Sequence, residues 1–121
     1  MAAVPFNFPS PKELRKHTRR HWAEFGLASE HDQVGYLALA VAFCGGACPN
    51  DAEECVREKC DNMIDRFREI SGEFAVLMPD RSAIVTYHIL HPIQTVGVPV
   101  QRTHRYATNR EYFNADCECL T

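Results

Sequence analysis

An α+β domain, with N-terminal helices packed on one face of an antiparallel β-meander, is the fold class this sequence predicts. Three observations carry it. Apolar residues recur at helical spacing up to Cys44. After Asp61 the period changes to that of strands, broken by two turn signals. The 121 residues make one domain by length, with 45% hydrophobic and 24% charged residues, which are globular values.

Each element follows in order. Residues 1–9 read as a flexible lead-in. Ser10-Pro11-Lys12-Glu13 is a capping box with proline at the first helical position. Leu14, His17, Thr18, His21, Trp22 and Phe25 then keep helical spacing, and Gly26 is a stop, so a helix is expected over Lys12–Phe25 with Trp22 as a core anchor. Ser29 to Asp32 starts a second helix, with Val34, Leu37, Ala38, Val41 and Cys44 as its buried stripe and Gly45-Gly46 as its end. The stretch from Cys55 to Cys60 reads as a short helix or a loop. "MIDRFREI" (63–70), "EFAVLM" (73–78) and "AIVTYHIL" (83–90) read as three strands joined by turns at Ser71-Gly72 and Pro79–Ser82. "PIQTVGVPVQRT" (92–103) carries two prolines and a glycine and reads as a loop or broken edge strand. "HRYATNREYFN" (104–114) closes the domain as a strand or a short helix.

Composition excludes some classes. No apolar run approaches the ~20 residues that span a bilayer, so no membrane partner is expected. The N-terminus lacks the basic and apolar regions of a secretion signal, and the chain reads as made in the cytosol with no export signal of its own. Net charge is −3, yet the charge is polarised. Lys12, Arg15, Lys16, Arg19 and Arg20 stand against one acid, Glu13; Arg81 to Arg110 holds four arginines and no acid; between them Glu30 to Asp80 carries eleven acids and four bases. If the two basic blocks meet in the fold, they form a local anion site; otherwise they are solvated faces.

Six cysteines add a second question. Cys44, Cys48, Cys55 and Cys60 give C-x3-C-x6-C-x4-C, and Cys117 with Cys119 gives C-x-C; no pair has the C-x2-C spacing of a zinc knuckle. Reduced structural thiols come first for a cytosolic chain, then stabilising disulfides, then an irregular zinc site through Cys44, Cys48 and Cys55. The first four are expected to sit together in the loop region, away from the basic cleft, and to serve stability.

The order "HTRRHWAEFG", "GYLALAVAF", "RFREISGEFAVLMPDRSAIVTYHILHP" and a late "EYF" resembles the C-terminal ribonuclease domains of polymorphic and contact-dependent growth-inhibition toxins, in the barnase/EndoU/colicin D/RelE-like superfamily. The resemblance runs from Leu14 to Phe113 and is strongest in "GEFAVL…D…AIVTY". There are departures: Thr18 stands where the pattern has Phe and Trp22 where it has Gly, the turn glycine near Arg81 is missing, and the cysteine-rich loop is an addition. What the resemblance implies is a metal-independent ribonuclease that cuts tRNA or another structured RNA by 2′-hydroxyl attack. It also implies action in the cytoplasm of a target cell, a cognate immunity protein as partner, no cofactor, and a monomer when free.

Such chemistry needs a base for the 2′-hydroxyl, an acid for the 5′-oxygen and donors for the charged phosphorane. Imidazole suits the first two. His17 and His21 lie at i and i+4 on one helix face, and the resemblance favours His21 as the catalytic histidine. Thr86 and His88 point to one face of the third strand, with Ile84 and Leu90 beside them, and serve as phosphate donor and as acid or phosphate ligand. Arg19, Arg20 and Arg110 are candidate phosphate ligands, and Tyr112 a base-stacking ring. Each also has a plainer account: a packed histidine, a β-branched strand former, a solvated charge. A non-catalytic binding protein, whether an immunity protein, a phage accessory protein or a zinc-stabilised adaptor, is therefore the alternative.

Overall fold

The computed structural model describes residues 6–93 and 102–121. Its first helix, α1 (Pro11–His21), begins where Ser10 Oγ accepts from the Glu13 amide at 3.2 Å, with proline at the first turn. The helix tightens to a 3-10 turn over Trp22–Phe25 and stops at Gly26, whose φ of 67° is left-handed. The second helix, α2 (Gln33–Cys44), is capped by Asp32 on the Gly35 amide at 2.9 Å. Its buried residues are Tyr36, Ala40, Phe43 and Cys44. Of the expected stripe, Cys44 is buried and Leu37 and Val41 pack against the core, but Val34, 83% exposed, and Ala38 face outward. Trp22 is half-buried rather than a core anchor.

Five strands follow: β1 (Glu53–Val56), β2 (Ile64–Arg68), β3 (Glu73–Leu77), β4 (Ile84–Pro92) and β5 (Arg102–His104), with the third helix, α3 (Asn109–Cys117), after them. They form one sheet in the order β1-β2-β3-β4-β5. The first four make an antiparallel meander, and β5 joins β4 in parallel. The molecule is α+β, as expected. Of the stretch expected as a helix or loop, Cys55 and Val56 end β1 and residues 57–60 form a turn, and the "HRYATNREYFN" stretch supplies the end of β5 and most of α3. The expected break in "PIQTVGVPVQRT" falls largely on residues 94–101, outside the described residues. The turn between β3 and β4 has no glycine, and Arg81 takes φ 62° instead.

Alternation along the strands sorts the core onto two faces. Ile64, Ala75, Leu77 and Tyr87 join Leu14, Tyr36 and Phe43 on the face covered by α1 and α2. Phe67, Phe74, Val76 and Leu90 join Phe113 of α3 on the other. The third helix therefore packs opposite the first two. Phe8, 5% exposed, belongs to the first core, so the stretch just before α1 is packed rather than a loose lead-in. Val76 pairs with Thr86 but Leu77 with Ile84, so Val85 is an extra residue in a bulge. The bulge turns Ile84 to the α1/α2 face, away from Thr86 and Leu90, contrary to strict alternation.

The outer edge of β4 is covered in three pieces. Asn7 bridges to Ala83, with the Ile84 amide donating to its carbonyl at 2.9 Å. Glu24 Oε1 accepts from the Ile89 amide at 2.9 Å, and β5 pairs from Leu90 onward. That edge brings α1 and its 3-10 turn beside β4.

The cysteines depart from the first expectation. Cys55 is bonded to Cys117 and Cys60 to Cys119, leaving Cys44 and Cys48 free. Cys44 lies in the α1/α2 core and Cys55 against the α3 core, so the four N-terminal cysteines do not form one group. Spacing within "CGGACPNDAEEC" could not show this, because the partners of Cys55 and Cys60 are about 60 residues away.

Candidate active site

A cleft of about 620 Å³ lies between α1, the α3-side face of β3 and β4, and α3 itself. α1 lends it Lys16, His17, Arg20 and His21; β4 lends Thr86 and His88; β5 lends Arg102; α3 lends Tyr112. Helical spacing places His17, Arg20 and His21 on one side of α1. Strand alternation places Thr86 and His88 together on β4.

The imidazoles form a stacked row. The ring centroids of His17 and His21 are 6.0 Å apart, and those of His21 and His88 are 5.1 Å apart. Phe8 stacks on the His17 end at 5.0 Å, and Phe74 lies against His88 at 5.6 Å. His17, His21 and His88 are 6%, 2% and 4% exposed, so these are packed rings and not surface charges.

His21 Nδ1 meets Glu24 Oε2 at 2.6 Å, and the Glu24 side chain is fully buried. An ionised carboxylate only accepts, so Nδ1 carries the proton and Nε2 is left as the basic nitrogen. Because Glu24 also accepts from the Ile89 amide, it locks the His21 ring to the edge of β4. This is the carboxylate–imidazole arrangement that orients a general base.

His88 is held differently. Thr86 Oγ1 lies 3.2 Å from its Nδ1, while Nε2 is buried with no hydrogen-bond partner among the described residues. Burial, then its neighbours His21 and Arg102, push its pKa well below the ordinary histidine value. His17 is lowered to about 4, chiefly by burial and then by His21 and Lys16. Both rings are therefore neutral at neutral pH. If the Thr86 hydroxyl donates to Nδ1, His88 Nε2 carries a hydrogen that has no acceptor.

Six of the eight predicted residues line this cleft: His17, His21, Thr86, His88, Arg20 and Tyr112. Arg20 makes no ion pair among the described residues, and neither does Arg102, so the two basic blocks meet here. Tyr112 has one ring face taken by His104 at 4.7 Å, and burial pushes its hydroxyl up to about 12. It is a wall of the cleft rather than an open stacking platform.

Two residues fall elsewhere. Arg19 faces an adjoining hollow with Lys12 and Arg15, which Lys16 and Arg20 border from the cleft side. Arg110 pairs with Glu53 and Glu69 and lies over the rings of Phe67 and Phe113, so its donors are taken by carboxylates and it does not line the cleft. Glu24 and Arg102 were missed. Glu24 could have been found as the i+3 neighbour of His21; Arg102 left no signal beyond its place in a basic run.

Comparisons with protein-family models, curated proteins and solved structures found no match to this chain.

Proposed function

We propose that this chain is a metal-independent endoribonuclease that cleaves RNA by attack of the ribose 2′-hydroxyl on the adjacent phosphorus. The observation that carries the reading is the convergence on one cleft of His21–Glu24, Thr86–His88 and two arginines, Arg20 and Arg102, that form no ion pair among the described residues. His21 Nε2 takes the 2′-hydroxyl proton, and Glu24 holds the ring for it. The new P–O2′ bond forms as the P–O5′ bond breaks, which leaves a 2′,3′-cyclic phosphate. Arg20, Arg102 and the Thr86 hydroxyl are placed to meet the phosphorane oxygens. His88 is the group placed to hand a proton to the 5′-oxygen: its burial and cationic neighbours disfavour its charged form, and a bound phosphodiester supplies the opposite charge.

In this reading tRNA or another structured RNA is the substrate, the toxin class is the biological setting, and a cognate immunity protein is the natural inhibitor. The test is incubation of the purified chain with total RNA in excess chelator, followed by end-group analysis. Cleavage leaving cyclic phosphate and 5′-hydroxyl ends, abolished in folded His21→Ala, is the expected result. Absence of cleavage, together with harmless expression without any inhibitor, would turn the reading to a non-catalytic binding protein.

A further inference from the structure

On the α3 side of the sheet, outside the catalytic cleft's histidine row, lies a second cluster. Asp65 of β2 is fully buried, and neither of its carboxylate oxygens has a hydrogen-bond partner among the described residues. A carboxylate oxygen of Asp65 and the sulfurs of Cys55 and Cys117 all lie within 4.8 Å of one another. Those two cysteines are joined as a disulfide between β1 and the end of α3. Asp116 lies alongside, and Arg57 reaches both acids, with Nε 3.7 Å from Asp65 Oδ1 and Nη1 3.2 Å from Asp116 Oδ2.

A buried carboxyl aimed at two sulfurs has little to do while the sulfurs are bonded to each other. Burial first, then the neighbouring Asp116 carboxyl, raise its pKa to about 9. Reduction changes the donor set. Two cysteine sulfurs and a carboxylate are what zinc takes in proteins, with Zn–S bonds of ~2.3 Å and Zn–O bonds of ~2.0–2.2 Å. At a tetrahedral angle the sulfurs stand ~3.8 Å apart. The Cα atoms of Cys55 and Cys117 are 5.9 Å apart, so rotation of the two side chains suffices.

We propose that reduction of the Cys55–Cys117 disulfide opens a zinc site made by Cys55 Sγ, Cys117 Sγ and Asp65, which takes over the disulfide's task of tying α3 to the sheet. A thiol or phosphine reductant supplies the two electrons that break the S–S bond; each sulfur gains a proton, and the reductant is oxidised to a disulfide or a phosphine oxide. Zinc then displaces both thiol protons. Two thiolates and a carboxylate carry three negative charges against the ion's two positive ones; Arg57, which also pairs with Asp61 and Asp116, is the cation beside them. Water or Asp116 fills the fourth position. The site differs from the Cys44, Cys48 and Cys55 set that loop composition suggested; its neighbours Arg57 and Asp116 also line the cleft, but its three ligands do not, and the proposal does not rest on the ribonuclease reading.

The experiment uses the full chain with Cys48→Ser, Cys60→Ser and Cys119→Ser, reduced with a phosphine under anaerobic conditions and titrated with cobalt(II). One equivalent is expected to give a tetrahedral cobalt–thiolate spectrum that zinc displaces, with a rise in melting temperature. Asp65→Asn, first shown to fold in its disulfide form, is expected to weaken binding by at least ~10-fold, the loss that even outer partners of a metal ligand produce. A cobalt–thiolate spectrum that survives Cys117→Ser, or is equally tight in Asp65→Asn, overturns the site. So does a reduced chain that neither binds cobalt nor refolds on adding zinc. RNA cleavage is not the readout, so failure here leaves the catalytic proposal standing.

Discussion

Glu24 and His17 show how two groups on one stretch of chain acquire opposite tasks. The Glu24 carboxylate fixes His21 and caps the Ile89 amide together. In Glu24→Gln the amide oxygen can still accept from Ile89, but the NH2 group then faces Nδ1 and drives the proton to Nε2, the nitrogen needed as base. The expected outcome is a fall in cleavage rate of ~10²–10⁴-fold with a small change in melting temperature. Equal losses of rate in Glu24→Gln and of folded protein would count against the dyad. His17, by contrast, is neutral and buried, and its folded pKa of about 4 lies below the unfolded 6.5. Between those values the unfolded chain binds more protons, so the His17 contribution is complete above pH 6.5 and is lost as pH falls toward 4. A shift of that size is worth ~3 kcal/mol. His17→Phe, which keeps a ring against Phe8, is expected to flatten the loss of melting temperature between pH 7 and pH 4 relative to the parent chain. An unchanged slope in that variant would show that His17 titrates normally.

At the scale of the element, α1 presents two basic faces with different roles. Arg20 and Lys16 line both the cleft of His17 and His21 and the adjoining hollow, whereas Arg19 lines only the hollow, with Lys12 and Arg15. Arg20→Ala is expected to slow cleavage and to reduce the salt slope of RNA binding by ~0.7, the value of one phosphate contact on a single strand. Arg19→Ala should weaken binding with a similar slope change but leave the rate at saturating RNA unaltered. Rates and salt-dependent binding measured on both variants decide this; identical profiles would mean that α1 acts as one undifferentiated charge. The bulge at Val85 is the companion device on β4. It lets Ile84 fill the α1/α2 core while Thr86 and His88 stay on the cleft side, which a regular strand cannot do.

For the whole molecule, the two disulfides close overlapping loops whose ends interleave in the order Cys55, Cys60, Cys117, Cys119. They close spans of 62 and 59 residues that end within a few residues of each other. Loop-closure entropy makes the first such bond worth ~4 kcal/mol. Once it is closed, the second constrains only the short loop left between the pairs, worth ~2–3 kcal/mol. Removing either pair by Cys→Ser substitution is therefore expected to cost ~2–3 kcal/mol, and removing both ~7 kcal/mol, more than the sum of the two single losses. Denaturant unfolding of the three variants under oxidising, metal-free conditions checks this, and strictly additive losses would point to local rather than chain-entropy effects.

The sequence by itself determined the elements whose signals are local. Ser10-Pro11 and Asp32 start helices because capping needs only three neighbouring residues, and the turns at Ser71-Gly72 and Pro79–Ser82 divide strands because alternation is read two residues at a time. Four site residues nominated in advance, His17, His21, Thr86 and His88, share one cleft because helical and strand periods already set their faces. What needed the tertiary structure was everything carried by distant partners. The pairing of Cys55 with Cys117 and Cys60 with Cys119, the capture of Arg110 by Glu53 and Glu69, and the arrival of Arg102 beside Arg20 join residues dozens of positions apart. Even β1 became a strand only through its pairing with β2, and Glu24 became the partner of His21 only because the helix tightens after residue 21 and turns that carboxylate to the edge of β4. Local propensity depends on the chain nearby, whereas ion pairs, disulfides and edge pairing depend on which surfaces the packed core brings together.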